Sequence, residues 1–226
     1  MSYTEFSTEN ADYVLQLGNH IKKNDHNVFG GIDGLVVEIG NCDFKEFIKK
    51  GHPQMDMPIQ LCKENKIPIF GTDIYSSFFS IIRDLPLDPL LILSLPIALY
   101  YGYSKKRVNK FLGGVASTIE FFTQSPITTR RDAINARKIE EYIVPKIISG
   151  FGKQRPKLGL VFGAAHMGLK EDLKYQFRRN LTIWNWRNLN FGKNNSFVKE
   201  NLNKVYEANY NCDRWIFETH ETDLFE

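Results

Sequence analysis

Several short apolar runs in this 226-residue chain end abruptly in Gly, Asp, Asn or His. Residues 14–17 (VLQL) lead into Gly18-Asn19-His20. Residues 35–39 (LVVEI) lead into Gly40-Asn41. Residues 67–70 (IPIF) lead into Gly71-Thr72-Asp73, and residues 158–162 (LGLVF) lead into Gly163. Runs of four or five apolar residues bounded by turn formers read as strands, because a buried helix needs ten or more positions. Near-continuous apolarity, rather than strict alternation, is what a strand covered on both faces requires. Residues 181–186 and 215–217 are later candidates of the same kind.

Helical patterns lie between these runs. Residues 44–50, 75–84, 169–179 and 196–210 fit a 3.6-residue period. Thr129 can cap a helix that carries Ala133, Ala136, Ile139 and Ile143 on one stripe. Pro145 would break or restart that helix, since it lacks an N–H and crowds the preceding turn. Strands alternating with helices predict a single α/β domain over 1–226. Its central sheet is expected to be mostly parallel and flanked by helices.

The middle of the chain departs from this pattern. Residues 85–103 read LPLDPLLILSLPIALYYGY, and the longest charge-free stretch, 89–104, has 16 residues including Pro96. A spanning helix needs about 20 apolar residues, so a membrane span is not expected. We expect a helical insertion at 85–124, with 85–103 as a candidate homodimer surface.

Composition excludes several classes. Hydrophobic residues at 42% and charged residues at 24% are those of a folded domain. A chain of this size buries roughly 70% of its unfolded surface and needs no metal or disulfide staple. The three cysteines, Cys42, Cys62 and Cys212, are widely spaced and contain no CxxC pair. They read as reduced thiols in a reducing compartment, which together with an N-terminus lacking a signal-peptide pattern points to the cytoplasm. Lys and Arg number 29 against 26 Asp and Glu, short of the basic excess of a dedicated nucleic-acid binder. Neither HExxH nor GxSxG occurs, which argues against zincin peptidases and serine hydrolases.

Ligands of open α/β sheets bind beyond the carboxyl ends of the strands. The four strand-like runs deliver His20, Glu38, Asp73 and His166 to such ends. Glu38 is the most informative, because a carboxylate inside VVEIG is costly to bury without a partner. His166 follows the small residues of GAAHMG and precedes a helix. Arg130, Arg131 and Arg137 open the Thr129 helix, where a cation could hold Glu38 or Asp73 ionised. Gly18, Asn41, Gly163 and Arg130 adjoin these positions and are expected to contact substrate.

The order of these motifs resembles the TraB/Tiki group, within a superfamily that includes ChaN-like and erythromycin-esterase-like proteins. The matching segments are LGNH, LVVEIGN, IFGTDIYSSFFSIIR, TRRDAINARKI and LVFGAAHMGL, spread over about two-thirds of the chain. The first turn is one residue shorter than the family's, and Arg130 stands where an acidic residue is expected before the motif Arg. The resemblance implies a metal-dependent hydrolase acting on a peptide or a small-molecule ester. His20, Glu38 and His166 would then hold a divalent ion, for which Mn, Zn or Co suits such donors. Glu38 would serve as ligand or base, Asp73 would belong to the catalytic set, and Arg131 would stabilise a developing oxyanion. Two alternatives remain at this stage. One is a non-catalytic binding or regulatory protein on the same fold. The other is a nucleotide or nucleic-acid binder using the GAAHMG loop, or Arg178, Arg179 and Arg187 around Trp184 and Trp186.

Overall fold

A computed structural model describes residues 2–18, 29–39, 44, 48, 56–73, 126–163, 166–175, 204–208 and 219–221. The elements run β1 (Ser2–Ser7), β2 (Asp12–Gly18), β3 (Gly34–Val37), α1 (Asp56–Glu64), β4 (Ile69–Gly71), α2 (Pro126–Lys138), a π-helical turn (Ile139–Ile143), α3 (Val144–Phe151), β5 (Lys157–Gly163), α4 (Leu169–Lys174), β6 (Lys204–Ala208) and β7 (Thr219–Glu221). The seven strands form one sheet in the order β1-β2-β5-β3-β4-β6-β7.

The α/β class is as expected, but the sheet is mixed rather than mostly parallel. β2, β5, β3 and β4 are mutually parallel. β1 joins β2 antiparallel, β6 joins β4 antiparallel, and β7 joins β6 antiparallel. These three flanking strands carry little apolar signal, so the sequence pattern does not announce them. β6 lies where the pattern predicts a helix over 196–210. Val205 and Tyr206 favour an extended chain, and pairing with β4 decides the outcome. The stretches 75–125, 181–186 and 215–217 lie outside the described residues. So do the expected insertion at 85–124 and the dimer surface at 85–103.

Both faces of the central strands are covered, which is why their sequences are apolar throughout. Tyr13, Leu15, Val36, Leu158, Leu160 and Phe162 face one way, against Ala136, Ile139, Ile143, Ile147, Leu169 and Leu173 of the helices. Val14, Leu35, Val37, Ile69 and Val161 face the other way, against Phe29, Ile32, Phe44, Ile48, Ile59 and Cys62. Each such side chain removed from water contributes roughly 1.5–3 kcal/mol. Among the described residues, no helix is long and apolar enough to cross a membrane.

The long helical segment after residue 125 shows two departures from expectation. α2 begins at Pro126, not at a Thr129 cap. Proline is well suited to a first turn, where its missing N–H has no helical partner anyway. Pro145 does not end the segment. The backbone widens into the π turn, and the Val144 N–H reaches back to the Ile139 carbonyl. This shift of register relieves the crowding that Pro145 would impose on a regular turn, and α3 restarts with the proline in its first turn. The turn also directs Glu140 to accept from Tyr13 Oη at 2.6 Å and Thr8 Oγ1 at 2.9 Å.

Candidate functional site

Strand register brings the carboxyl ends of the parallel strands to one edge. Gly18 pairs with Gly163, and Val37 pairs with both Val161 and Gly71. Glu38 follows β3 directly, and its N–H still bonds the Val161 carbonyl. Asp73 lies two residues beyond β4. His166 lies three residues beyond β5, in a turn closed by its own N–H to the Gly163 carbonyl and by the Leu169 N–H to its carbonyl. Gly71 lets this edge close tightly. A side-chain carbon there would stand 2.8 Å from both the Ile39 carbonyl oxygen and Phe44 Cδ2.

Helix α2 supplies the remaining groups. Arg131 donates through Nη2 to Glu38 Oε1 at 2.5 Å, and through Nε and Nη2 to Asp73 Oδ1 at 3.1 and 3.0 Å. Asp132, its neighbour, contacts His166 Nδ1 at 2.5 Å. The other ring nitrogen, Nε2, contacts Glu38 Oε1 at 2.8 Å. The Gly163 N–H donates to Glu38 Oε2 at 2.6 Å. One connected chain results: Asp132, His166, Glu38, Arg131, Asp73. Its inner end is sealed, with His166 and Asp132 side chains 1% exposed, while Glu38, Asp73 and Arg131 rise to 8%, 13% and 18%. The Phe162 ring packs edge-on against His166 with centroids 5.5 Å apart.

The charges follow from this placement. Burial disfavours an imidazolium, yet the charge of Glu38 and the charge and hydrogen bond of Asp132 overcome it despite opposition from Arg131. The His166 pKa is pushed up to about 9. Burial also works against an ionised Glu38. The charges of His166 and Arg131, with the hydrogen bonds from His166 and Gly163, nevertheless hold its carboxyl well below the usual range. His166 is therefore a doubly donating cation at neutral pH, set between two carboxylates.

Lys138 fixes the same edge from two turns along α2. It is fully buried, and its Nζ donates to the Thr72 carbonyl at 2.9 Å. Arg131 and Lys138, seven residues apart on one helix face, thus hold consecutive residues beyond β4.

Of the expected site residues, the fold brings together Glu38, Asp73, Arg131 and His166. Gly163 is present too, but its N–H serves Glu38. Gly18 closes the neighbouring strand. Arg130 belongs to α2, though its side chain lies outside the described residues, as do His20 and Asn41. Sequence reasoning missed Asp132 and Lys138. A signal for Asp132 existed, because it continues the stripe of Ala136, Ile139 and Ile143 at helical spacing, where a carboxylate must find a partner.

A divalent metal ion does not fit the described residues of this cluster; the expected ligand His20 lies outside them. Among the described residues, no three His, Cys, Asp or Glu side chains converge to hold one. Both ring nitrogens of His166 face carboxylates, and the guanidinium of Arg131 stands between Glu38 and Asp73. Comparison with known proteins adds no assignment: no family model, curated protein or solved structure matches the chain.

Proposed function

We propose that this chain is a TraB/Tiki-like hydrolase that cleaves a peptide or ester bond at the carboxyl edge of its parallel strands. The observation that supports this reading is the convergence of Glu38, Asp73, Arg131 and His166. They come from four separate segments, and they join one hydrogen-bonded chain whose open end carries Arg131 and Asp73. In this reading the substrate carbonyl meets Arg131, whose guanidinium stabilises the oxyanion as water adds to carbon. Asp73 accepts the proton of that water and returns it to the departing nitrogen or oxygen as the bond breaks. Glu38, His166 and Asp132 are positioning residues that hold the guanidinium in register. The buried free thiol of Cys62 accords with a reducing, cytoplasmic setting.

The test is turnover. Purified full-length chain is offered a panel of p-nitrophenyl esters and a panel of fluorogenic peptides. Hydrolysis is expected in one panel. Arg131→Lys and Asp73→Asn are expected to lower kcat by roughly 10²–10³-fold with circular dichroism unchanged. No turnover in either panel, or equal turnover by both variants, refutes the reading. A non-catalytic binding role on the same fold is favoured by one observation, the engagement of both His166 ring nitrogens by carboxylates in the sealed half of the cluster. It predicts a folded protein that retains bound small molecule through purification and hydrolyses neither panel.

A further inference from the structure

We propose that Arg131 is the permanent cation of this site, standing where a divalent metal would otherwise bridge Glu38 and Asp73. The inference concerns which cation the cluster carries, so it stands or falls separately from the hydrolytic reading. It rests on Arg131, Glu38 and Asp73 and on the contacts of Lys138 and Gly163 that hold them.

Three observations carry it. The first is position. Arg131 Nη2 lies 2.5 Å from Glu38 Oε1 and 3.0 Å from Asp73 Oδ1. A metal bound to those oxygens at about 2.0–2.2 Å would occupy the space of that nitrogen. The second is charge. A divalent ion a few ångströms from a guanidinium in a half-buried site meets strong repulsion, and the guanidinium cannot shed its proton to relieve it. The third is anchorage. The Arg131 guanidinium is held by its own bonds to Glu38 and Asp73, and Lys138 ties its helix to the Thr72 carbonyl next to Asp73. Glu38 is also engaged at its second oxygen by the Gly163 N–H, which fixes it toward Arg131 rather than toward an incoming ion.

The arrangement therefore differs from the metal centre that the family resemblance implies. Of the ligands that centre would use, Glu38 and His166 are here, each already held by Arg131 or a carboxylate. The cation is organic, covalently part of the chain, and delivered by a helix.

Untagged full-length protein is titrated with Mn²⁺ and, separately, Co²⁺, using calorimetry and the visible absorption of bound Co²⁺. The wild type is expected to show no saturable binding at this site. In Arg131→Ala, loss of the cation beside two carboxylates is expected to tighten binding by at least about 100-fold over the limit set by the wild type, to one saturably bound ion per chain. Adding Glu38→Gln to that variant should abolish the gain. If Arg131→Ala does not fold, Arg131→Gln provides the same loss of charge with more of the side chain kept. A measurement on the wild type alone completes the test. The Arg131 Nε–H resonance, identified by its loss in Arg131→Lys, should stay sharp when paramagnetic Mn²⁺ is added. Stoichiometric metal in the wild type that is lost in Glu38→Gln overturns the proposal. So does selective broadening of the Arg131 resonance, or unchanged metal affinity in the charge-removed variants. None of these readouts depends on turnover, so a chain that hydrolyses nothing can still support the inference, and an active chain can still refute it.

Discussion

Folding stability should fall with rising pH because of one buried histidine. The ordinary His pKa of 6.5 rises to about 9 in the fold, with Glu38 and Asp132 outweighing burial. A raised pKa means that the folded state binds the proton more tightly than the unfolded chain. The stabilising contribution is therefore complete below pH 6.5 and disappears as pH climbs through about 9. At 1.36 kcal/mol per unit, a rise of this size corresponds to about 3 kcal/mol. That is a large part of the 5–15 kcal/mol typical of a domain. Since His166 is 1% exposed, solvent does not screen the interaction. Glu38 acts in the opposite direction. Its lowered pKa adds stability above its ordinary value of 4.5 that is lost as pH falls toward the folded value. Stability should thus be greatest between about pH 4.5 and 6.5.

Urea unfolding of the wild type and of His166→Gln at intervals from pH 6 to 10 isolates the effect. Every other ionisable group is common to the two proteins and cancels in the difference. The wild type should lose about 3 kcal/mol more than the variant across that range. Parallel losses in the two proteins would show that His166 is not held as an imidazolium, and the charge reasoning for the whole cluster would fail with it.

Three other outcomes are expected. Asn135 is fully buried, and neither of its side-chain amide atoms has a hydrogen-bond partner among the described residues. Asn135→Leu, of similar size, should raise stability by roughly 1–3 kcal/mol, read as a higher urea midpoint at unchanged slope; a lower midpoint would count against the orphaned amide. Gly71→Ala should cost about 1–3 kcal/mol, because its new carbon meets the Ile39 carbonyl and Phe44. It should also disturb Asp73, two residues on, which a shift of the Arg131 Nε–H resonance would report. Cys62 is fully buried and its thiol is pushed up to about 12 by burial. It should resist iodoacetamide at pH 8 until urea is added, as peptide mass mapping can show.

The four parallel strands were legible because both their faces are buried, which leaves short, nearly unbroken apolar runs. The flanking strands were not, for a physical reason. β1 sits at the sheet edge with Tyr3 58% exposed, so only half of it needs apolar residues. β6 owes its conformation to β4, over 130 residues earlier in the chain, and no local pattern encodes that pairing. The π turn shows the same limit from the other side. Pro145 correctly marks a helical interruption, but the backbone answers by widening one turn rather than stopping.

The cluster was half legible on similar grounds. Glu38 and His166 stood out as polar residues against apolar or small neighbours, and Asp73 as a carboxylate just past a strand. Asp132 stood beside Arg130 and Arg131, where a carboxylate reads as a solvated partner for its neighbours. Its meaning depends on the order of charge along the folded chain of contacts, Asp132, His166, Glu38, Arg131, Asp73. Signs alternate along that order, and each cation stands between two carboxylates. None of these carboxylates is adjacent in sequence to another, so the alternation exists only once β3, β4, β5 and α2 have met. Within it, His166 and Arg131 do equivalent electrostatic work, each keeping two carboxylates from facing one another across a desolvated gap. The imidazolium can give up its proton and the guanidinium cannot. A base strong enough to discharge His166 would therefore leave Glu38 dependent on Arg131 and the Gly163 N–H alone. The pH sensitivity of the cluster thus belongs to its sealed end, while the more exposed end, at Arg131 and Asp73, keeps its positive charge.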